Sequence, residues 1–481
     1  MRPIIGKMHR STTLKNFIYS FLLTSCNFIF AFITYPYVSR VLGVTNIGIC
    51  NYVDSIITYF VLFSMLGIGS YGVREIAKCK EDKDACSRVF SSLLVINLIL
   101  SIVALSVLII CIYTIPLLFP YKQFLWIGAI KIFFSVFLIE WFFEGLSNFK
   151  YITIRSIVVR IVYAICVFVL IRSEEDVLLY YGLTVGTIVV NSLLNFSYAR
   201  KFVRFSLYSV CFSGLFLPII SFGLHRILSS FYNTFSTFYL GLTTNDTQVG
   251  YFSTACKLYG ILIMIFSALT TVLVPRVSEL VGKEDNKALQ SILVKTFDVL
   301  LIFAIPVIIF SNVYASQIIY IIAGPGYGGA EIPFRIVICL LFISAMQQIV
   351  VQQFLLAAGN STSVLVLSVA GAAMALFLNV IFTPLYKATG SAISLVLSTL
   401  MVLLVGIYFF ERIFEFKIPY KRMIKYILFS IPYVLICIFF YTNGVSWKML
   451  YCILLCLIWF VIQNFWLIKS SLLHSSIDLN K

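Results

Sequence analysis

Apolar stretches of roughly 20 residues recur along this chain from end to end, each long enough to cross a hydrocarbon core of about 30 Å as an α-helix. Inside a bilayer every backbone N–H and C=O has to be paired within the protein, which leaves helices or a closed barrel. The alternating apolar and polar segments of about ten residues that mark barrel strands are missing, so the spans are helical. The chain is 61% hydrophobic and only 11% charged over 481 residues, with a mean hydropathy of +1.02. Such a balance excludes a soluble globular domain and places the chain among all-α polytopic membrane proteins.

Fourteen spans are expected, at 15–39, 46–72, 89–114, 122–146, 152–171, 177–199, 212–240, 250–275, 292–322, 332–358, 363–384, 389–410, 424–441 and 447–468. The basic N-terminus, MRPIIGKMHRSTTLKNF, leads into an apolar run too long for a signal-peptide core, and it reads as an uncleaved first helix. Lys and Arg divide unevenly between the two sets of loops, 25 against five of the 35 in the chain. Basic loops stay in the cytoplasm, so both termini are expected there. The formal charge of +16 is thereby a topology signal rather than a nucleic-acid footprint. No loop is long enough to fold into a separate domain.

Most cysteines, Cys26, Cys111, Cys166, Cys437, Cys452 and Cys456 among them, sit in apolar runs, where a free Cys behaves as a small hydrophobe. Cys79 and Cys86 share a loop at a spacing that fits no zinc motif. Neither a disulfide nor a metal site is expected.

Two stretches repeat one pattern. RVLGVTNIGICNYVDSIITYF from Arg40 and YLGLTTNDTQVGYFSTACKLYGI from Tyr239 both carry Leu-Gly, a short polar turn, a Gly and a new helix. Gly48 precedes Arg74 by 26 residues, Gly250 precedes Arg276 by 26, and the two copies are 202 residues apart. Six spans separate them, which gives both copies the same membrane orientation: a parallel repeat. The expected organisation is an N-terminal six-helix lobe at 1–207, a C-terminal six-helix lobe at 208–416, and an additional helix pair with a cytoplasmic tail at 417–481.

The segments YPYVSRVLGVTNIGICNYVDSIITYF (35–60), GIGSYGVREIAK (67–78), EWFFEGLSNFKYITIRS (140–156), VGYFSTACKLYGI (249–261), VLVPRVSEL (272–280), QQFLLAAGNSTSVL (352–365) and LNVIFTPLYKATGSAIS (378–394) resemble the Wzx-type polysaccharide flippases. These belong to the MOP superfamily, which also holds MATE multidrug exporters and lipid II flippases. The resemblance covers roughly residues 14–415. It implies a MATE-like fold and translocation of an undecaprenyl-diphosphate-linked oligosaccharide, O-antigen or a similar surface polysaccharide, from the cytoplasmic to the periplasmic leaflet of the bacterial inner membrane. Ion-coupled alternating access between two lobes is the implied mechanism. The implied partners are the lipid-linked glycan, membrane lipid, a polysaccharide polymerase and a chain-length regulator. No cofactor is implied, and the functional residues carry over only as a theme of cationic side chains lining a cavity.

An Arg or Lys at the centre of a membrane helix costs about 2.5 to 3.5 kcal/mol on insertion scales, so each one asks for a wet cavity or a partner. Lys131, Arg160, Arg226, Lys257 and Arg335 lie inside expected spans, opposed by Asp54, Glu140, Glu144 and Asp298. A diphosphate presents oxygens that match the planar fork of an arginine. Arg226, with Lys131, Lys257, Arg160 or Arg335, is therefore expected to bind the substrate, against the plain reading of each as a structural cation paired to a neighbour. His225 lies about 100° round the helix from Arg226 and reads as a packing residue. Glu140, Asp54 and Glu144 are candidates for ion coupling, while Gln348 and Gln352 share a face and could meet sugar hydroxyls or act as glue between helices.

Three alternatives differ in kind. A drug exporter of the same superfamily would favour an acidic cavity. A membrane polymerase or glycosyltransferase would need sizeable external loops, and the connections around SEEDV (173–177) and TNDTQ (244–248) are too short. The Asp-x-Asp within KEDKD (80–84) reads as a solvated charge run.

Overall fold

The computed structural model describes residues 2–206, 214–441 and 447–478. The described residues form α1 (Arg2–Met65), α2 (Ile68–Cys79), α3 (Lys83–Thr114), α4 (Lys122–Ser135), α5 (Glu140–Gly145), α6 (Phe149–Leu170), α7 (Val177–Ala199), α8 (Phe216–Asn233) and α9 (Phe235–Thr243). There follow α10 (Asp246–Val281), α11 (Asn286–Val313), α12 (Ala315–Ile322), α13 (Glu331–Val337), α14 (Leu340–Gln347), α15 (Ser361–Ile413), α16 (Tyr420–Phe429), α17 (Ile431–Phe439) and α18 (Trp447–Asp478). A π-helical stretch, Gln348–Leu355, continues α14.

Among the described residues nine helices are long and apolar enough to cross a membrane, or ten if one bent pair counts as a span. Two of these are pairs of expected spans run together. The chain turns inside α1 at Gly43 (φ 73, ψ 169) and inside α15 at Lys387 (φ 52, ψ −127). Gly reaches positive φ freely, whereas Lys does so at a cost. Span 212–240 is divided between α8 and α9, and the last span falls on a shorter apolar helix, Trp447–Gln463. Among the described residues each of the fourteen expected spans thus overlies helix, residues 212–213 of the seventh lying outside them, and large apolar side chains such as Ile165, Phe377, Leu385 and Leu435 point outward, as a lipid-facing surface requires.

Charged runs start helices rather than build sites. Asp82, in KEDKD, caps α3 by accepting hydrogen bonds from the backbone N–H of Asp84 at 2.9 Å and of Ala85 at 3.0 Å. Asp285 caps α11 in the corresponding loop of the second copy, accepting from Ala288 N–H at 3.0 Å. An N-cap carboxylate satisfies donors that the first turn leaves unpaired.

By contact the chain forms two compact units, one of residues 1–253 with 368–398 and the other of 254–367 with 399–481. This grouping differs from the lobes expected at 1–207 and 208–416, because 208–253 and 368–398 associate with the N-terminal helices. In the first unit α1 lies against α3, α4 and α6, and α2 against α3 and α5. Its core is aromatic: Phe90, Trp141, Phe142 and Phe143 are buried together with Ile68 and Ile76. A Cβ on Gly72 would come within 2.4 Å of the Trp141 ring, so α2 and α5 approach closely only because that position is bare. In the second unit α11 lies against α14, α16 and α17, and Phe354, Phe410, Phe414 and Phe416 form an aromatic group.

The repeat is visible as a reciprocal contact within the first unit. A Cβ on Gly48 would lie 1.8 Å from the carbonyl oxygen of Asp246, and one on Gly250 would lie 2.2 Å from that of Val44. Between them the Thr45 and Thr247 hydroxyls hydrogen-bond at 3.0 Å, 202 residues apart. Each copy offers the same glycine to the same carbonyl of the other.

Candidate functional site

The first unit holds a group of charges on α5, α6 and α8, joined by the amide of Asn195 on α7. The turn between α4 and α5 sets α5 apart as a short helix, and Glu140 and Glu144 then fall one turn apart on one face. On α6 the buried residues Ile152, Arg155, Ser156 and Val159 form a stripe at helical spacing. Arg155 in that stripe is only 6% exposed. Its Nη2 donates to Glu140 Oε1 at 2.5 Å and to Ser156 Oγ at 2.9 Å, and its Nη1 donates to Asn195 Oδ1 on α7. Taking a guanidinium out of water is expensive unless its donors are met, and here a carboxylate, an amide and a hydroxyl meet them.

Around this pair the expected residues gather. Arg160, half-buried one turn further along α6, interacts electrostatically with Glu140. Glu144 interacts with both Glu140 and Arg226. Arg226 projects from α8, and a Cβ on Gly69 of α2 would lie 3.2 Å from its Nη1, so the guanidinium lies directly over that glycine. Gly223, one turn earlier, sits against the backbone of Leu66 and Gly67 and fixes α8 there. Arg226 is exposed, and none of the ion pairs within 4.0 Å among the described residues includes it. The side chain of His225 lies outside the described residues.

Lys131 on α4 belongs to a different pair in the same unit. Its Nζ donates to Asp54 Oδ1 at 2.5 Å, joining α4 to the second arm of α1. The remaining candidates fall in the second unit. Arg335 is paired with Glu331 at 2.8 Å, one turn away on α13. Lys257 on α10 has a partner of its own. Gln348 and Gln352 both lie on the π-helical stretch; Gln348 is half-buried and Gln352 exposed. Their neighbour Gln353 is fully buried and approaches Thr296 of α11 at 3.5 Å. Asp298, also in this unit, is held by Arg422 at 2.5 Å.

Of ten candidate residues the structure brings Arg226, Glu144, Glu140 and Arg160 into one group and pairs Lys131 with Asp54. Arg155, which anchors the group, reads in sequence as one of two basic residues of a cytoplasmic loop. The signal that would have found it is the apolar stripe of Ile152 and Val159 on the same face. Beside Arg155 a groove of about 500 Å³ is lined by Lys150, Tyr151, Ile154, Val158 and Tyr198, and the rings of Tyr151 and Tyr198 stack at 3.9 Å.

The family profile described as "Polysaccharide biosynthesis protein" matches residues 13–281, more than half of the chain. The chain belongs to that family. A second profile, "MatE", matches 221–385. A protein of Escherichia coli (strain K12) named as an O-antigen transporter is 23% identical over 398 residues, covering 81% of this chain and 94% of that protein. A Shigella dysenteriae protein of the same name is 23% identical over 57% of this chain and 70% of its own length. Among solved structures, "Lipid II flippase MurJ, inward closed conformation" superposes with a TM-score of 0.71 at 16% identity, covering 95% of this chain and 99% of that one. A multidrug MATE transporter in its inward-facing conformation superposes at 0.64, with 15% identity over 81% and 94%. This likeness shows the fold alone, that of a multi-pass helical membrane protein. The resemblance to the polysaccharide flippases is borne out by the family match.

Proposed function

We propose that this member of the polysaccharide biosynthesis family carries an undecaprenyl-diphosphate-linked oligosaccharide from the cytoplasmic to the periplasmic leaflet. The observation that carries the reading is Arg226: an exposed guanidinium in a membrane helix, steered by Glu144 but with no carboxylate at ion-pair distance among the described residues. Lys131 and Arg335 each have a carboxylate of their own. A cation left without one suits an anion that arrives and leaves, and the diphosphate is that anion.

The halves 1–207 and 208–416 act as the two moving lobes, with both termini in the cytoplasm. The contact of Gly48 and Gly250 with the facing carbonyls supports a path closed at that end, which the distribution of basic loops assigns to the periplasm. Ion coupling falls to Glu144. Glu140 and Asp54 are each engaged in an ion pair, with Arg155 and Lys131 at 2.5 Å, whereas Glu144 makes none among the described residues and exchanges a proton as Arg226 takes up or releases the diphosphate. The polymerase and chain-length regulator receive the product.

The test is surface-polysaccharide complementation in a host lacking its own flippase. Arg226→Ala is expected to abolish polymer at normal protein level, with lipid-linked repeat units accumulating on the cytoplasmic side, and Arg226→Lys to restore part of it. Normal polymer with Arg226→Ala sinks the assignment. The match of the MatE profile to 221–385 favours a small-molecule exporter as the second reading. That reading predicts drug resistance from expression and full repeat-unit flipping in the deletion strain.

A further inference from the structure

The last two helices carry a group of side chains that transport does not use. Cys437 on α17 and Cys452 and Cys456 on α18 bring their three Sγ atoms within 4.8 Å of one another. Cys437 and Cys452 are completely buried, and their sulfurs are 3.7 Å apart. Tyr314, which ends α11, closes the group from a third element, its hydroxyl donating to the Cys437 carbonyl at 3.4 Å.

In sequence each of these is a small hydrophobe in an apolar run, and only Cys452 and Cys456, one turn apart, share a face. Burial of a hydrophobe asks for apolar neighbours, which Ile309, Phe310 and Ile436 supply. It does not ask for three sulfurs on one point. Metal coordination does. With metal–sulfur bonds of about 2.3 Å, two thiolates stand about 3.8 Å apart on a tetrahedral ion and about 4.0 Å apart on a trigonal one. The Cys437–Cys452 separation matches the first, and it is far longer than a disulfide bond.

We propose that Cys437, Cys452 and Cys456 bind one thiophilic closed-shell cation, Zn²⁺ or Cu⁺, tying α17 to α18 beside Tyr314. Soft thiolates select such ions, and among the described residues no carboxylate of the kind that Mg²⁺ or Ca²⁺ favours joins the group. Two thiolates and one neutral thiol on Zn²⁺, or one thiolate and two thiols on Cu⁺, give the occupied site no net charge in a low-dielectric setting that would reject an isolated thiolate. Cys456, half-buried, is the ligand through which the ion enters.

The probe is Cd²⁺, a spectroscopic stand-in for Zn²⁺, titrated into the purified full-length protein under reducing conditions. One equivalent is expected to saturate an ultraviolet thiolate-to-metal charge-transfer band. Cys437→Ser and Cys452→Ser should abolish the band, Cys456→Ser should weaken binding at least tenfold, and Cys26→Ser and Cys111→Ser should leave it intact. Because a core variant can fail to fold, the wild-type protein provides a second reading: Zn²⁺ should protect Cys456 from maleimide labelling while leaving Cys111 labelled at the same rate. The proposal is overturned by the absence of a band, by a band that survives in Cys437→Ser, by labelling of Cys456 indifferent to Zn²⁺, or by a Cys437–Cys452 disulfide in the isolated protein.

Discussion

The Arg155 guanidinium and the Glu140 carboxylate meet at 2.5 Å and join α6 to the short helix α5. Arg155 is almost wholly buried there, so its partner determines whether the charge is tolerable. Arg155→Ala removes the ion-pair partner of Glu140 and leaves it beside Glu144 with only the more distant Arg160 and Arg226 to balance the two. The loss is expected to be about 2 to 3 kcal/mol, below the range for a fully buried pair because the Glu140 side chain is 40% exposed. Thermal unfolding of the detergent-solubilised protein measures it, and Arg155→Lys should recover only part, since one ammonium cannot reach Glu140, Asn195 and Ser156 together.

Glu144→Gln separates coupling from binding. The variant keeps Arg226 and is expected to bind lipid-linked substrate while losing the dependence of flipping on a transmembrane pH gradient in proteoliposomes. Flipping that still follows the gradient would move the coupling role to another carboxylate.

The Thr45 and Thr247 hydroxyls lie 3.0 Å apart, close enough for cysteines in their places to bond. Thr45→Cys with Thr247→Cys is expected to cross-link under mild oxidant and to stop transport until a reductant is added. Gly48→Ala, whose methyl would strike the Asp246 carbonyl, should weaken the same contact and reduce cross-linking.

Lys387 breaks α15 with φ 52 and ψ −127, a conformation that costs a side-chain-bearing residue about 1 to 3 kcal/mol. Lys387→Gly should therefore raise the unfolding temperature, the lower end of that range being offset by the greater freedom of glycine in the unfolded chain.

Asp82 titrates at the start of α3. Hydrogen bonds from the Ala85 and Asp84 N–H groups hold its carboxyl below the usual range. A depressed pKa stabilises the folded state above the unfolded value of about 3.9 and loses that contribution as pH falls through the lower folded value. Amide protection across residues 83–88, taken relative to the intrinsic exchange rate at each pH, should be full near neutrality and fall only below about pH 4. Asp82→Asn, which keeps a cap without the titration, should flatten that dependence, and Asp82→Ala should fray the turn at every pH.

The spans and the repeat are legible in the sequence because each depends on local composition or on a pattern preserved at fixed spacing, whereas KEDKD reads there as a solvated charge run and its Asp82 cap is a finding of the structure. Arg155 was not legible either, since a lone Arg six residues into a helix that follows a polar turn counts as a loop cation until the neighbouring helices bury it. Glu140 was recognisable as an intramembrane acid, but its partner depended on the approach of α5 to α6. The Cys437 group had the same obstacle: only two of its members share a helix, and the third comes from an antiparallel neighbour. The contact grouping of 368–398 with the N-terminal helices likewise depends on the fold of the whole chain.

The exchange between Val44–Gly48 and Asp246–Gly250 has one more consequence. Because each copy presents the same glycine to the other's same carbonyl, the surface is self-complementary, the property that defines an isologous homodimer interface. A half-length chain carrying only one copy would hold everything needed to meet a second identical chain at this point. Fusion into one polypeptide lets the halves diverge elsewhere, placing Arg226 in only one of them, while the meeting point still obeys the symmetry of a dimer.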